Sequence, residues 1–212
     1  MPAVEVESGH RPKSSRGSSL IPQRRDSLID RLDPENIFGR TAPLHVDLGC
    51  CDGSFICALA QRMPAKNFLG IERLLGRIRS AARKAASLPN VRLLRMESSY
   101  AVRYLLPAES VETFYLLFPD PWPKRRHWRR RIVTGDFLCA ISQALAENGR
   151  LLIATDHVDY FEKITETALG NPNLAIIEPA DIDRPLTKFE RKFRAQSIPI
   201  HWLELQKVSP VR

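Results

Sequence analysis

VDLGCCDGS, residues 46–54, closes one kind of pattern and opens another. Before it, LHVDLG (residues 44–49) is a short apolar run of strand length. After it, SFICALAQRM (residues 54–63) carries apolar positions at helical spacing, with Ser54 placed as the N-cap. Asp47 ends the strand, and Gly49 and Gly53 bracket the turn. A strand that passes through a glycine-bracketed turn into a helix is the opening unit of an α/β fold. The turn is not the dinucleotide fingerprint G-x-G-x-x-G, because Cys51 stands at the second glycine position and Ser54 at the third. A pyrophosphate-bearing cofactor is disfavoured on that ground.

Outward from this turn, strands and helices alternate. NFLGIE (67–72), NVRLLRM (90–96), VETFYLLF (111–118) and GRLLIATD (149–156) read as strands. LLGRIRSAARKAASL (74–88), DFLCAISQALAE (136–147) and VDYFEKITETAL (158–169) read as helices, the second closed by Asn148-Gly149 and the third by Gly170. LAIIEP (174–179) and IPIHWLELQK (198–207) are two late strands with no clear helix between them. The pattern predicts a Rossmann-like α/β fold: a mostly parallel central sheet, helices on both faces, and an antiparallel edge. Ligands of such sheets bind beyond the C-terminal strand ends, so the chemistry is expected just after Asp47, Glu72, Met96, Phe118 and Thr155.

The 212 residues suffice for one domain with a substantial core, and 43% apolar content fits a folded protein. Residues 1–25, rich in Ser, Pro, Gly and Arg, read as a flexible basic arm, and residues 26–212 as a single domain. No apolar run approaches the roughly 18 residues of a membrane span. The N-terminus has no secretory signature, which points to the cytoplasm and away from membranes. Cys50, Cys51, Cys57 and Cys139 form no C-x-x-C pair, so buried reduced thiols are expected rather than disulfides or a metal site. The net charge of +8 is unevenly spread. Residues 122–133 hold Lys124, Arg125, Arg126, Arg129, Arg130 and Arg131 with no acid, and residues 11–25 are also acid-free. Such concentration suits a polyanionic partner, nucleic acid first; a solvated charged face is the plainer alternative.

Acids end successive strands. Glu72 lies 25 residues after Asp47 and is placed to accept from both hydroxyls of a ribose, or else to pair at the surface with Arg73 or Arg77. Glu97 follows the third strand, where a side chain can meet an adenine amino group. Asp120 follows the fourth, inside FPDPWPKRRHWRRR (118–131), where Pro119, Pro121 and Pro123 stiffen the backbone. Trp122 and Trp128 offer flat faces and the cations offer phosphate contacts, an arrangement suited to a nucleic acid base. The rival reading puts the tryptophans in the core and neutralises Asp120 with Lys124.

VDLGCCDGS resembles the first motif of Rossmann-like S-adenosyl-L-methionine (SAM) methyltransferases. FPDPWPKRRHWRRR closely resembles the signature of the bacterial single-subunit tRNA (guanine-N7)-methyltransferases, and ATDHVDYF (154–161) and PLTKFERKF (185–193) resemble that family's later motifs. The resemblance spans about residues 40–207. It implies a Rossmann-like SAM-dependent methyltransferase fold, SAM as cofactor, tRNA as partner, and methylation at N7 of guanine 46 in the variable loop. It also implies residue roles. Asp47, Gly49, Glu72, Glu97 and Asp120 match cofactor-binding positions, and Asp120 is also the proposed catalytic residue. Lys124, Asp156, Thr187, Lys188, Phe189 and Glu190 match substrate-binding positions. Arg126, His127, Trp128, Arg129, Arg130 and Arg131 match the RNA-contacting stretch, and His157 and Tyr160 are supporting residues. Two positions depart from the family: Cys51 replaces a glycine, and Glu97 an acid more often Asp. The family includes monomers and homodimers. A SAM methyltransferase acting on another RNA, and a non-catalytic basic RNA-binding protein, are the competing readings.

Overall fold

The computed structural model describes residues 19–21, 31–179 and 184–208. Seven strands form one sheet: β1 (Leu44–Leu48), β2 (Asn67–Ile71), β3 (Val91–Leu94), β4 (Val111–Leu117), β5 (Leu145–Thr155), β6 (Leu174–Ile177) and β7 (His201–Lys207). Their order across the sheet is β3-β2-β1-β4-β5-β7-β6. The first five run parallel, and β7 pairs antiparallel with both β5 and β6. Strand order reverses between β1 and β4, a switch point where ligand crevices open in such sheets.

Every residue of β1 and β2 is buried, which is why these strands read as continuous apolar runs rather than as alternating ones. Successive residues of one strand feed opposite faces. Phe114 joins the core that includes Phe137, Ile141 and Tyr160, while Tyr115 joins the one that includes Phe55, Leu59 and Ile78. Helices α2 (Ser54–Arg62) and α3 (Leu75–Ala85) cover the second face; α5 (Gly135–Ala144) and α6 (Val158–Leu169) cover the first. The remaining helices are α1 (Pro34–Phe38), α4 (Ser98–Tyr100), which continues as a π turn over Ala101–Leu105, and α7 (Lys188–Ala195). No helix among the described residues is long and apolar enough to cross a membrane.

Several sequence expectations are corrected in detail. The N-cap of α2 is Gly53, not Ser54, whose hydroxyl instead accepts from Lys84 Nζ at 2.6 Å. Helix α5 stops at Ala144 rather than at residue 147. Leu145 is fully buried and already pairs with Val111, so the chain enters β5 early. Asn148 does adopt a left-handed conformation (φ 57°), but within β5, where the register against β4 slips. A helix, α7, does stand between the two late strands. Its signal is a T-x-x-E cap: Thr187 Oγ1 accepts from the Glu190 backbone N–H at 2.9 Å.

Of the arm expected over residues 1–25, residues 1–18 and 22–25 lie outside the described residues. Residues 19–21 extend the β3 edge instead of flexing: Ile21 N–H donates to Leu93 O at 2.9 Å and Leu93 N–H to Ser19 O at 2.8 Å. Of the four thiols, Cys50 and Cys57 are buried as expected, but Cys51 is half-buried and Cys139 exposed.

Candidate active site

The C-terminal ends of β1 to β4 surround a cavity of about 540 Å³, within the range of small-molecule sites. Glu72, Glu97, Asp120, Trp122 and Arg130 are among its lining residues. The turn read first in the sequence follows Leu48, which lines the cavity. Gly49 N–H and Cys50 N–H both donate to Ile71 O at 2.9 Å, so the turn hangs from the end of β2. Gly49 (φ 81°), Cys51 (φ 52°) and Gly53 (φ 74°) are all left-handed. Gly53 is needed twice over, since a Cβ there would lie 2.7 Å from Ala81 Cβ and 2.9 Å from Ala81 Cα. Cys51 adopts the same backbone region with a side chain attached, at a cost of roughly 1 kcal/mol.

Asp47, 4% exposed, immediately precedes the lining residue Leu48. Burial, and then the charge of Glu72, push its carboxyl up to about 7. Glu72 is buried too; its Oε1 accepts from Leu74 N–H at 2.8 Å and its Oε2 lies 3.9 Å from Arg77 Nη1. The pairing with Arg77 is therefore present, but the acid is not a surface residue. Glu97 caps α4, accepting from Ser99 N–H at 2.9 Å and Tyr100 N–H at 2.7 Å. Those bonds fix the carboxylate at the cavity wall.

Asp120 is exposed at the cavity mouth. Two left-handed residues flank it, Phe118 (φ 57°) and Trp122 (φ 43°), so its loop turns sharply on either side. The Arg125–Arg130 segment is a 3₁₀ helix with most of its cations in solvent. Arg130 stacks on Trp122, 4.9 Å from the ring centre, and His127 meets the same ring edge-on. Trp128 is 43% exposed and Trp122 lines the cavity, so neither belongs to the core. Lys124 is exposed, and its carbonyl accepts from His127 N–H at 2.7 Å. Arg126 and Arg129 are exposed.

Arg131 is not. It is 6% exposed, its Nε donates to Pro121 O at 2.8 Å, and its guanidinium lies between the rings of Trp128 (4.8 Å) and Tyr160 (4.6 Å). Arg131, expected with the RNA-contacting stretch, thus differs from its neighbours in being buried. Tyr160 is fully buried and accepts from Val133 N–H at 3.3 Å, as a supporting residue should. Burial lifts its hydroxyl above the ordinary value; the charge of Asp120 adds to the effect and that of Arg131 opposes it. Asp156 stands half-buried just past β5, and His157 Nδ1 is buried without a partner among the described residues.

Of the α7 residues, Thr187 and Glu190 serve the helix itself. Glu190 is 0% exposed and is bonded to Arg184 (2.7 and 3.2 Å) and Arg194 (2.7 Å). Burial opposes its charge, but these two arginines outweigh that and hold the carboxyl below its usual range. Glu190, expected at a substrate-binding position, is here enclosed by these two arginines. Phe189 is 45% exposed in a cluster with Phe118 and Phe193. Lys188 pairs with Asp52, which also binds Lys84 and the Ser54 N–H. Asp52 escaped sequence reasoning because its partners lie 32 and 136 residues away. Arg184, 3.8 Å over the Trp202 ring, escaped it as well.

A family model described as "Putative methyltransferase" matches residues 41–203. The chain is 39% identical over 170 residues to a tRNA (guanine-N(7)-)-methyltransferase of Leifsonia xyli subsp. xyli, covering 76% of this chain and 74% of that protein. It is 34% identical over 188 residues to the protein of the same name from Syntrophotalea carbinolica, covering 85% and 81%. Among solved structures, the 16S rRNA methyltransferase KamB superposes with a TM-score of 0.58 at 16% identity, covering 83% of this chain and 92% of that one, a likeness of fold.

Proposed function

This chain belongs to the tRNA (guanine-N(7)-)-methyltransferase family, and from that premise we propose that it transfers a methyl group from S-adenosyl-L-methionine to N7 of guanine 46 in the variable loop of tRNA. The observation that carries the reading is one juxtaposition. Glu72, Glu97 and Asp120 line a single cavity, buried Asp47 precedes its lining residue Leu48, and exposed Arg130 of the 3₁₀ helix lines it too.

The residues present suit the cofactor, which supplies an electrophilic methyl group on a cationic sulfur. Asp47 and Glu72 provide buried carboxyls, the first of which a cationic sulfur would favour in its ionised form, and Glu72 follows β2 where ribose hydroxyls are bound in folds of this kind. Glu97, held by its two backbone bonds, presents a fixed acceptor at the wall.

Guanine N7 carries a lone pair and no proton at neutral pH, so no general base is required. The protein's task is placement, which can contribute about 7–11 kcal/mol to lowering a barrier. Positive charge passes to the purine during transfer. Asp120, fixed between two sharp backbone turns, stabilises that charge at the cavity mouth. Asp156, half-buried at the end of β5, is the further acceptor for the guanine N1–H and amino group. Arg126 and Arg129 contact phosphates, which position the RNA without selecting the base. The target guanine is turned out of the tRNA fold to reach the cavity. The enzyme works in the cytoplasm, where its substrate is made.

The test is methyl transfer from radiolabelled SAM to unmodified tRNA carrying guanine or adenine at position 46. Incorporation that disappears with adenine supports the reading. Incorporation that persists moves the target base, and SAM binding without transfer to any RNA refutes the assignment of substrate.

A further inference from the structure

We propose that Arg131, inside the most cationic stretch of the chain, is a positioning residue for Asp120 and does not bind RNA. The proposal rests on the reading of Asp120 as the carboxylate that faces the reacting base.

Four contacts define what Arg131 does. Its Nε donates to the carbonyl of Pro121, the residue after Asp120. Its guanidinium is sandwiched between Trp128 and Tyr160. Its own backbone N–H donates to Trp128 O at 2.9 Å, closing the 3₁₀ helix. Tyr160, fully buried on α6, also accepts from Val133 N–H. Both ends of the loop over residues 121–133 are thus tied to one tyrosine of α6, and Arg131 is the tie on the Asp120 side.

The site of the tie matters. The Pro121 carbonyl belongs to the peptide group that leads into Trp122, whose φ of 43° is unfavourable for a side-chain-bearing residue. A hydrogen bond to that carbonyl fixes the peptide plane at the turn following Asp120. Arg130 and His127 hold the Trp122 ring, but the bond from Arg131 is the one that fixes its peptide plane, and on its loss the carboxylate moves with the loop. Only a guanidinium meets all the demands at once, because it is planar enough to stack on two rings while donating in its own plane. Its Nη2 is buried with no partner among the described residues, an unfavourable placement unless the other contacts hold the group there. A 6% exposed side chain cannot also reach a phosphate.

The test uses the full chain with Arg131→Met, which keeps an unbranched stem, and Arg131→Lys, whose ammonium can still reach the Pro121 carbonyl. Two quantities are read: the single-turnover rate at saturating SAM and unmodified tRNA, and tRNA affinity between 50 and 200 mM salt. Arg131→Met is expected to lower the saturated rate roughly 10–100-fold, the scale of a small misplacement of a reacting group. Its tRNA affinity and salt slope stay within twofold of the wild type, and Arg131→Lys recovers part of the rate. A merely structural role would not separate rate from affinity in this way. An unchanged saturated rate would overturn the proposal. So would a loss that takes the form of weaker tRNA binding with a shallower salt slope. If Arg131→Met does not fold, the same separation is read from Arg131→Lys. Wild-type protein that transfers no methyl to tRNA would instead sink the parent reading.

Discussion

Replacing Asp47 with asparagine should stabilise the ligand-free protein at neutral pH and leave it unchanged in acid. The carboxyl is buried at the end of β1, beside Glu72, and burial raises it from an ordinary 3.8 to about 7. Between those two values the folded protein keeps the proton and the unfolded chain releases it. Stability therefore falls as pH rises, by about 1.4 kcal/mol per pH unit, until the native carboxyl ionises. Over the window from about pH 4 to pH 7 the sum is about 4 kcal/mol. Asparagine has nearly the same shape and no charge to bury, so Asp47→Asn removes the whole slope. For a chain of this size about 4 kcal/mol corresponds to roughly 8–16 °C in melting temperature. The assay is thermal unfolding of both proteins without ligand from pH 4 to pH 8. The two melting temperatures should agree near pH 4 and diverge towards pH 7. The lowered carboxyls of Asp52, Glu112 and Glu190 impose the opposite slope on both proteins and cancel in the difference. A difference independent of pH would refute the electrostatic account of Asp47. Addition of SAM, whose sulfonium favours an ionised Asp47, should narrow the gap at pH 8.

Asp120→Ala should abolish methyl transfer while retaining tRNA affinity, whereas Arg126→Ala with Arg129→Ala should weaken tRNA binding and reduce the salt slope by about two, measured by titration at several salt concentrations. Cys51→Gly should raise stability by about 0.5–1 kcal/mol in urea unfolding, because relief of the left-handed strain outweighs the greater freedom of the unfolded chain. Glu190→Ala should cost about 3–5 kcal/mol by leaving the half-buried Arg184 without its partner; the wild-type contribution is present at neutral pH and is lost as pH falls through the lowered carboxyl. Equal stability of wild type and Glu190→Ala in urea would show that Arg184 finds another acceptor.

Local signals carried most of the fold. Apolar runs of strand length, separated by helical spacing, placed β1 to β5 and α6 to within a few residues, because burial on both faces of a parallel sheet leaves that composition behind. The left-handed turn was legible from Gly49 and Gly53, and the cost of Cys51 from its place between them. Helix α7 was legible as well, through Thr187 and Glu190. Those residues were read through their resemblance to a substrate-binding motif rather than as a cap, and a cap and a binding motif can use the same letters.

By itself, then, the chain's sequence determined the strand-turn-helix order, the acids at the strand ends and the basic stretch that follows Asp120. Each of these is written in residues adjacent in the chain. Only the tertiary structure decided which charges face solvent. It separated Arg131 from the exposed Arg126 and Arg129, buried Glu190 between Arg184 and Arg194, and joined Asp52 to Lys84 and Lys188. Burial of a charge depends on which partners the fold encloses with it, 4 and 6 residues away for Glu190 but 32 and 136 for Asp52, and the identity of a single arginine in a run of arginines contains no record of them.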